Sequence, residues 1–427
     1  MRGLASGRQI WFKLLLAAAG TVVALLLVEI GLRVASGMFG EELRQQLSAD
    51  PRNYGIPDPY IGYLSRPDST IVVSGQDFKA EHRVDKAGFR NAWPWPLHAD
   101  IAVLGDSVTF GYGVANDEAW PAVLARSLSG SAVLNLALIG AGPQQYLRVY
   151  ETFGAKLHAK LVIVGLWARN DFWDADMFDR WLTSGVGGNY MVWRDFGRPQ
   201  RVTLSLRHPI RFLRGAFTLS MFPVLQNSRI YNLLRVANEG LQTRRQEPPK
   251  ILRFPDGHRL ELDMEDFLSQ CARGRPEARG FQLTVDALQR LDAFTSRDGG
   301  HALVVLLPSK EQTYGPRLDQ PVVDPTKALR EALAVRGIDY LDLASGFSER
   351  AAAGDRLFFE VDQHPNAAGY ALIARLVLSH VMQNEHRYGL TDARTPDAPI
   401  LPSNRVAGPD RAQRFAAVEK VGNQCVQ

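Results

Sequence analysis

Cysteine is scarce in this chain of 427 residues: there are two, Cys271 and Cys425. Neither has metal-site spacing, and two cysteines are too few for a disulfide framework. The two could pair in an oxidising compartment. Cys425, however, lies in a proline-spaced terminal stretch, and the reading is two unpaired thiols. An excess of one charge is also missing. Forty-nine Lys and Arg against 45 Asp and Glu leave a net charge of +4. That argues against a nucleic-acid partner, although the pI is about 9.0. No Walker loop, G-x-G-x-x-G or H-E-x-x-H occurs, which removes the commonest nucleotide and zinc-protease signatures. With 46% hydrophobic residues the chain reads as globular, and its length suits one large domain or two ordinary ones.

One long apolar run is present, at the N-terminus. Residues 14–28 carry no charge, and Ile30, Leu32 and Val34 extend the run. The uncharged part is shorter than about 18 residues, so a spanning helix must use its flanks. Trp11 and Phe12 suit an interface, Lys13 can snorkel, and Glu29 can pair with Arg33 one turn on. Arg2, Arg8 and Lys13 precede the run, which predicts a cytoplasmic N-terminus and an extracytoplasmic remainder. The alternative to this anchor (residues 1–37) is a signal peptide cleaved near Val34 and Ser36.

Residues 38–98 mix polar, Gly and Pro positions and read as a lead-in. A strand-helix rhythm follows over residues 99–386. Residues 101–104 read as a buried parallel strand, 120–128 as a helix, 132–138 as a strand, 144–153 as a helix and 161–166 as a strand. From about 172 to 280 the rhythm is interrupted by an insertion, mostly helical. It includes the hairpin "ILRFPDGHRLEL" turning on Pro255-Asp256-Gly257. The rhythm resumes with a helix at 282–295, a strand at 302–307, a helix at 327–335, a strand at 339–343 and a closing helix at 367–382. Residues 387–427 read as a disordered tail. Such alternation predicts an α/β protein with a parallel sheet.

In such sheets ligands gather at the C-terminal strand ends. Four polar features fall there: Ser107, Gly140, Asn170 and "VDQHPN" before the closing helix. Singly, each has a plainer reading. Ser107 or Asp106 would cap a helix, Gly140 would make a tight bend, Asn170 a turn, and His364 a helix start. Jointly they fit acyl transfer. A serine hydroxyl needs a base, which His364 can be. Asp362, two residues earlier in an extended segment, can reach the same side and hold the imidazole. Pro365 suits the first turn of the next helix. The N–H groups of Ser107 and Gly140, with the Asn170 amide, can receive the oxyanion, and glycine lets the backbone approach it. Asp106 reads as structural, and Lys310 and Glu311 as a solvated loop with substrate contact as the alternative. Arg207, Arg211 and Arg214, among Phe212, Phe217 and Leu219, read as a surface helix; the alternative is contact with lipid headgroups or a cover over the site.

These blocks resemble the SGNH, or GDSL, hydrolase superfamily. "GDSVTFGYGV" resembles its first block, "NLALIGAG" its glycine block (Gly140, with Gly142 as fallback), "GLWARND" its asparagine block and "VDQHPNAAGYALIA" its histidine block. "HRVDKAGFRN" and "ALVVLLPSKEQTY" resemble the membrane-anchored bacterial branch. The resemblance implies a flavodoxin-like three-layer fold and a serine esterase without metal or cofactor, acting on acylated carbohydrate or lipid. One departure stands out. The family acid lies three residues before the histidine, where this chain has Val361. Asp362 has instead the D-x-H spacing of periplasmic polysaccharide O-acetyltransferases of the alginate type, with Glu360 as a substitute. An O-acyltransferase is therefore the alternative. A non-catalytic carbohydrate-binding or assembly protein is the alternative of another class.

Overall fold

Five short apolar runs bounded by polar or glycine positions become one parallel sheet in the computed structural model of the chain. The structure describes residues 7–35, 55–128, 130–196, 228–231, 233–234, 248–318 and 324–390. Cys425, the tail beyond residue 390 and the arginine cluster at 207–214 lie outside them.

Four strands precede the sheet, in two antiparallel hairpins: β1 (Ile56–Asp58) with β2 (Gly62–Leu64), and β3 (Ser69–Ser74) with β4 (Lys79–Val84). The sheet itself comprises β5 (Ile101–Gly105), β6 (Val133–Asn135), β7 (Leu161–Trp167), β10 (His301–Leu307) and β11 (Asp339–Asp342). A third hairpin, β8 (Lys250–Arg253) with β9 (Arg259–Leu262), lies between β7 and β10 in sequence. The order across the sheet is β11-β10-β7-β5-β6. Numbered as five parallel strands, that is 2-1-3-4-5 read from the β6 edge, the flavodoxin-like order. Its switch point lies between β5 and β7.

Both faces of β5 and β7 are fully buried, which explains their unbroken apolar runs. Ile101, Val103, Leu161, Ile163, Leu303 and Val305 point into a core shared with the helices Trp120–Ser127 and Ala367–Gln383. The alternate residues face a layer in which Pro143–Val149, Asp171–Ser184 and Arg279–Arg297 pack on one another. The result is three layers. β6 is shorter than the sequence suggests, because Asn135 turns its side chain to the Thr109 carbonyl and the Ala137 N–H. The hairpin β8–β9 sends Leu252, Leu260 and Leu262 into the main core.

The described residues of 1–54 and 192–246 belong to one compact unit, and those of 55–191 and 247–427 to another. In the first, the helix Gly7–Ala35 contains one apolar stretch, Trp11–Ala35, long enough to cross a membrane, with mean hydropathy 2.3. Glu29 binds Arg33 at 2.9 Å, as the spacing suggests. The same carboxylate also accepts from Ser228 Oγ and from the N–H groups of Arg229 and Ile230. It therefore caps a second helical segment, which no local pattern announces.

Candidate active site

β5 ends in Gly105, and the chain turns at once into the short helix Ser107–Phe110. Two glycines opposite each other in register, Gly105 and Gly165, make this turn possible. A Cβ on either would lie 2.2 Å from Thr109 Oγ1. Asp106 is the helix cap: its Oδ1 accepts from the Val108 N–H at 2.9 Å. Ser107 is thus not needed as a cap, and its hydroxyl is available for other work.

That hydroxyl lies 2.8 Å from Nε2 of His364. Nδ1 of His364 lies 2.7 Å from Asp362 Oδ1, and the same oxygen accepts the His364 backbone N–H at 2.8 Å. The segment is a bend rather than an extended strand. Asp362 reaches His364 because its carboxylate closes a local turn on the residue two further along. This is how an acid at two-residue spacing can serve the ring. Pro365 precedes the helix instead of opening it. Asn366 caps Ala367–Gln383 by accepting from the Gly369 N–H, and asparagine is a far better cap than proline. Glu360 points elsewhere, to Nδ1 of His258 at 2.6 Å.

Burial alone would raise the Asp362 pKa. The hydrogen bonds and charge of His364, with the nearby Lys310 ammonium, outweigh it and hold the carboxyl below its ordinary value. Asp106 and Asp171 are fully buried neighbours whose pKa values are pushed up, first by that burial. The Asp171 carboxylate accepts from the Tyr146 hydroxyl and the Trp167 N–H, which ties the end of β7 to the layer below.

The rings of Tyr112 and Trp167 flank His364, with centroids at 4.7 and 5.3 Å. Gly140 is buried and has φ +73°, so the bend itself demands glycine. Gly142 is explained differently: a Cβ there would press on Asp174 and Ala175. The Asn170 amide donates to Asp174 Oδ2 at 2.9 Å and also engages Asp106. Among the described residues, no group of three His, Cys, Asp or Glu side chains is placed to hold a metal ion.

The lead-in contributes more than a tether. Arg90 is buried and donates to the carbonyls of Phe110, Gly111 and Val114 and to Asn116. It fixes the loop that carries Tyr112. His82, also buried, packs on Phe110 and Tyr112. Burial, then Arg90 and His364, lower its pKa to about 3, so it stays neutral at pH 7. Lys310 and Glu311 do not form a solvated loop: both are buried. Glu311 binds Arg169 at 3.0 Å. Arg90 and His82 fall in the block "HRVDKAGFRN" and Lys310 and Glu311 in "ALVVLLPSKEQTY", but nothing in either block announces that these side chains are buried.

The fold is a three-layer α/β protein with a sheet of flavodoxin-like order, and a serine, histidine and aspartate stand in hydrogen-bonded sequence near its switch point. Residues 103–372 match the GDSL-like Lipase/Acylhydrolase family, and the chain belongs to it; it is an ester hydrolase in that general sense. Similar solved structures include a lipolytic G-D-S-L family protein from Veillonella parvula (14% identity, TM-score 0.33, covering 66% of this chain and 98% of that one). Others are LAE5, an alpha/beta hydrolase from the Lake Arreo metagenome (12%, 0.32, covering 68% and 95%), and a GDSL-like lipase from Parabacteroides merdae (12%, 0.31, covering 67% and 98%). At these TM-scores none of them bears on the fold, which the strand order defines. No curated protein matches the chain significantly.

Proposed function

We propose that the chain is a membrane-anchored, extracytoplasmic serine esterase that acts on O-acyl, chiefly acetyl, esters of carbohydrate or lipid. The observation that carries this is the 2.8 Å contact between Ser107 Oγ and His364 Nε2. Asp362 at Nδ1 keeps the proton there, which leaves Nε2 to accept. As Oγ attacks the ester carbonyl, its proton passes to Nε2. The carbonyl oxygen becomes an oxyanion. His364 then returns the proton to the departing alkoxide, and an acyl-Ser107 remains. Water, deprotonated by His364, completes hydrolysis.

Ser107 opens a helix, so its N–H has no intrahelical acceptor and suits the oxyanion. The Gly140 N–H and the Asn170 amide are the other donors; the Asn170 amide engages Asp174 and Asp106, and one of these bonds gives way to the oxyanion. Gly140→Ala should cost about 1–2 kcal/mol of stability, because alanine resists that φ. It should also slow turnover by roughly 10²–10³-fold if an oxyanion donor is displaced. Slow labelling of Ser107 by a fluorophosphonate should persist. Unchanged turnover in a folded variant would remove Gly140 from the site.

The two-residue spacing of Asp362 and His364 favours a second reading. A sugar hydroxyl would replace water as acyl acceptor, giving an envelope polysaccharide O-acyltransferase. The test is to incubate the detergent-solubilised protein with short and long p-nitrophenyl esters, with and without oligosaccharide. Hydrolysis alone supports the esterase, acetylated oligosaccharide the transferase. Absence of both turnover and active-site labelling would reject catalysis.

The basic residues before the apolar helix motivate the proposed topology. A reporter fused after Gln427 should be active in the periplasm and silent in the cytosol. The opposite pattern would reject the orientation. A mature chain that begins near Ser36 would replace the anchor by a cleaved signal.

A further inference from the structure

We infer that Lys310 is a positioning residue, whose ammonium holds the loop that presents Asp362 and His364 to Ser107. Its consequence for rate rests on the serine mechanism above; its geometry does not.

Lys310 is 0% exposed. Its Nζ lies 3.0, 3.2 and 3.1 Å from the carbonyl oxygens of Phe359, Glu360 and Val361. An ammonium has three N–H donors, and all three are used. Filling space would require only methylenes, and an ordinary ion pair only a carboxylate. Three consecutive carbonyls converge on one point only where the backbone curls, and their dipoles repel unless a cation sits among them. The loop is also held from its other side: the Val361 N–H donates to Asp77 Oδ2 at 2.7 Å. Asp362 is the next residue. Lys310 itself is fixed to the sheet, since it opens a helix capped by Ser309 just after β10. A rigid path therefore runs from β10 through Lys310 to the acid and the base.

The charged groups around the ammonium are Glu311, Asp362 and Asp77, which favour its charge, and Arg169, which opposes it. Burial outweighs them and lowers the Lys310 pKa to about 8 from an ordinary 10.5. A neutral amine has two donors for three carbonyls, so the grip should loosen above pH 8. The linkage sign separates this from unfolding. Between about 8 and 10.5 the unfolded lysine binds more protons than the folded one, so this group makes stability rise with pH.

The experiment uses the full chain in detergent. Wild-type kcat for p-nitrophenyl acetate should fall with an apparent pKa near 8, while the melting temperature holds or rises over the same interval. Lys310→Met should lower kcat at pH 7 by about 10²-fold, the scale of a 1 Å misplacement, with KM little changed and no step near pH 8. A wild-type kcat that stays flat to pH 10, or a folded Lys310→Met with wild-type kcat, would overturn the inference. Where Lys310→Met does not fold, the wild-type profile decides alone. If the wild type neither turns over ester nor labels at Ser107, the serine mechanism fails separately. The His364 ring resonances then decide: Lys310→Met, or alkaline pH in the wild type, should shift them, and unmoved resonances would overturn the positioning role.

Discussion

Ser107→Ala should reduce ester turnover by roughly 10⁵–10⁶-fold, to the residue left by binding and oxyanion donors. Stability should barely change. The plainer role for this serine, capping the helix, would predict the reverse: a loss of about 0.5–2 kcal/mol with activity retained. The structure separates the two roles in advance. Asp106 makes the capping bond to Val108, while the Ser107 hydroxyl faces His364 at 2.8 Å. Alanine at position 107 removes a hydrogen bond to the base and leaves the cap in place. Kinetics with thermal melting of both proteins check this, and a destabilised but active variant would return Ser107 to the role of helix cap.

The second large effect concerns the acid. Asp362→Asn should lower kcat about 10⁴-fold, since an amide facing Nδ1 favours the wrong imidazole tautomer. Glu360→Gln should remain within a few-fold of wild type. Glu360 is spent on His258 at the surface, at 2.6 Å, and does not approach His364 in the structure. Comparison of kcat for the two folded variants is the check. A larger loss in Glu360→Gln would transfer the acid role and void the two-residue spacing.

The strands of the central sheet were legible because both their faces are buried, which leaves unbroken apolar runs such as "LVIVGLW". The four site blocks were legible for a related reason. Three of them follow strand ends, where the fold gathers polar groups, and the histidine block stands just before the closing helix. The supports were not legible. Lys310 and Glu311 look like surface residues, because burial of a charge depends on partners far along the chain. Lys310 finds its carbonyls some fifty residues away, at 359–361. The hairpin β3–β4 buries Ala80, His82 and Val84 on one side, and an alternation built on alanine and histidine carries little hydrophobic signal. The Asx turn at Asp362 was missed as well, since an aspartate two residues before a histidine fits both an extended segment and a bend.

Intact mass and peptide mapping after treatment with a fluorophosphonate test the central claim most directly. The probe requires an activated hydroxyl beside a base. The account predicts a single adduct on Ser107 in the wild type, none in Ser107→Ala, and loss of esterase activity in step with labelling. A wild-type protein that hydrolyses esters while carrying its adduct on another residue would contradict it.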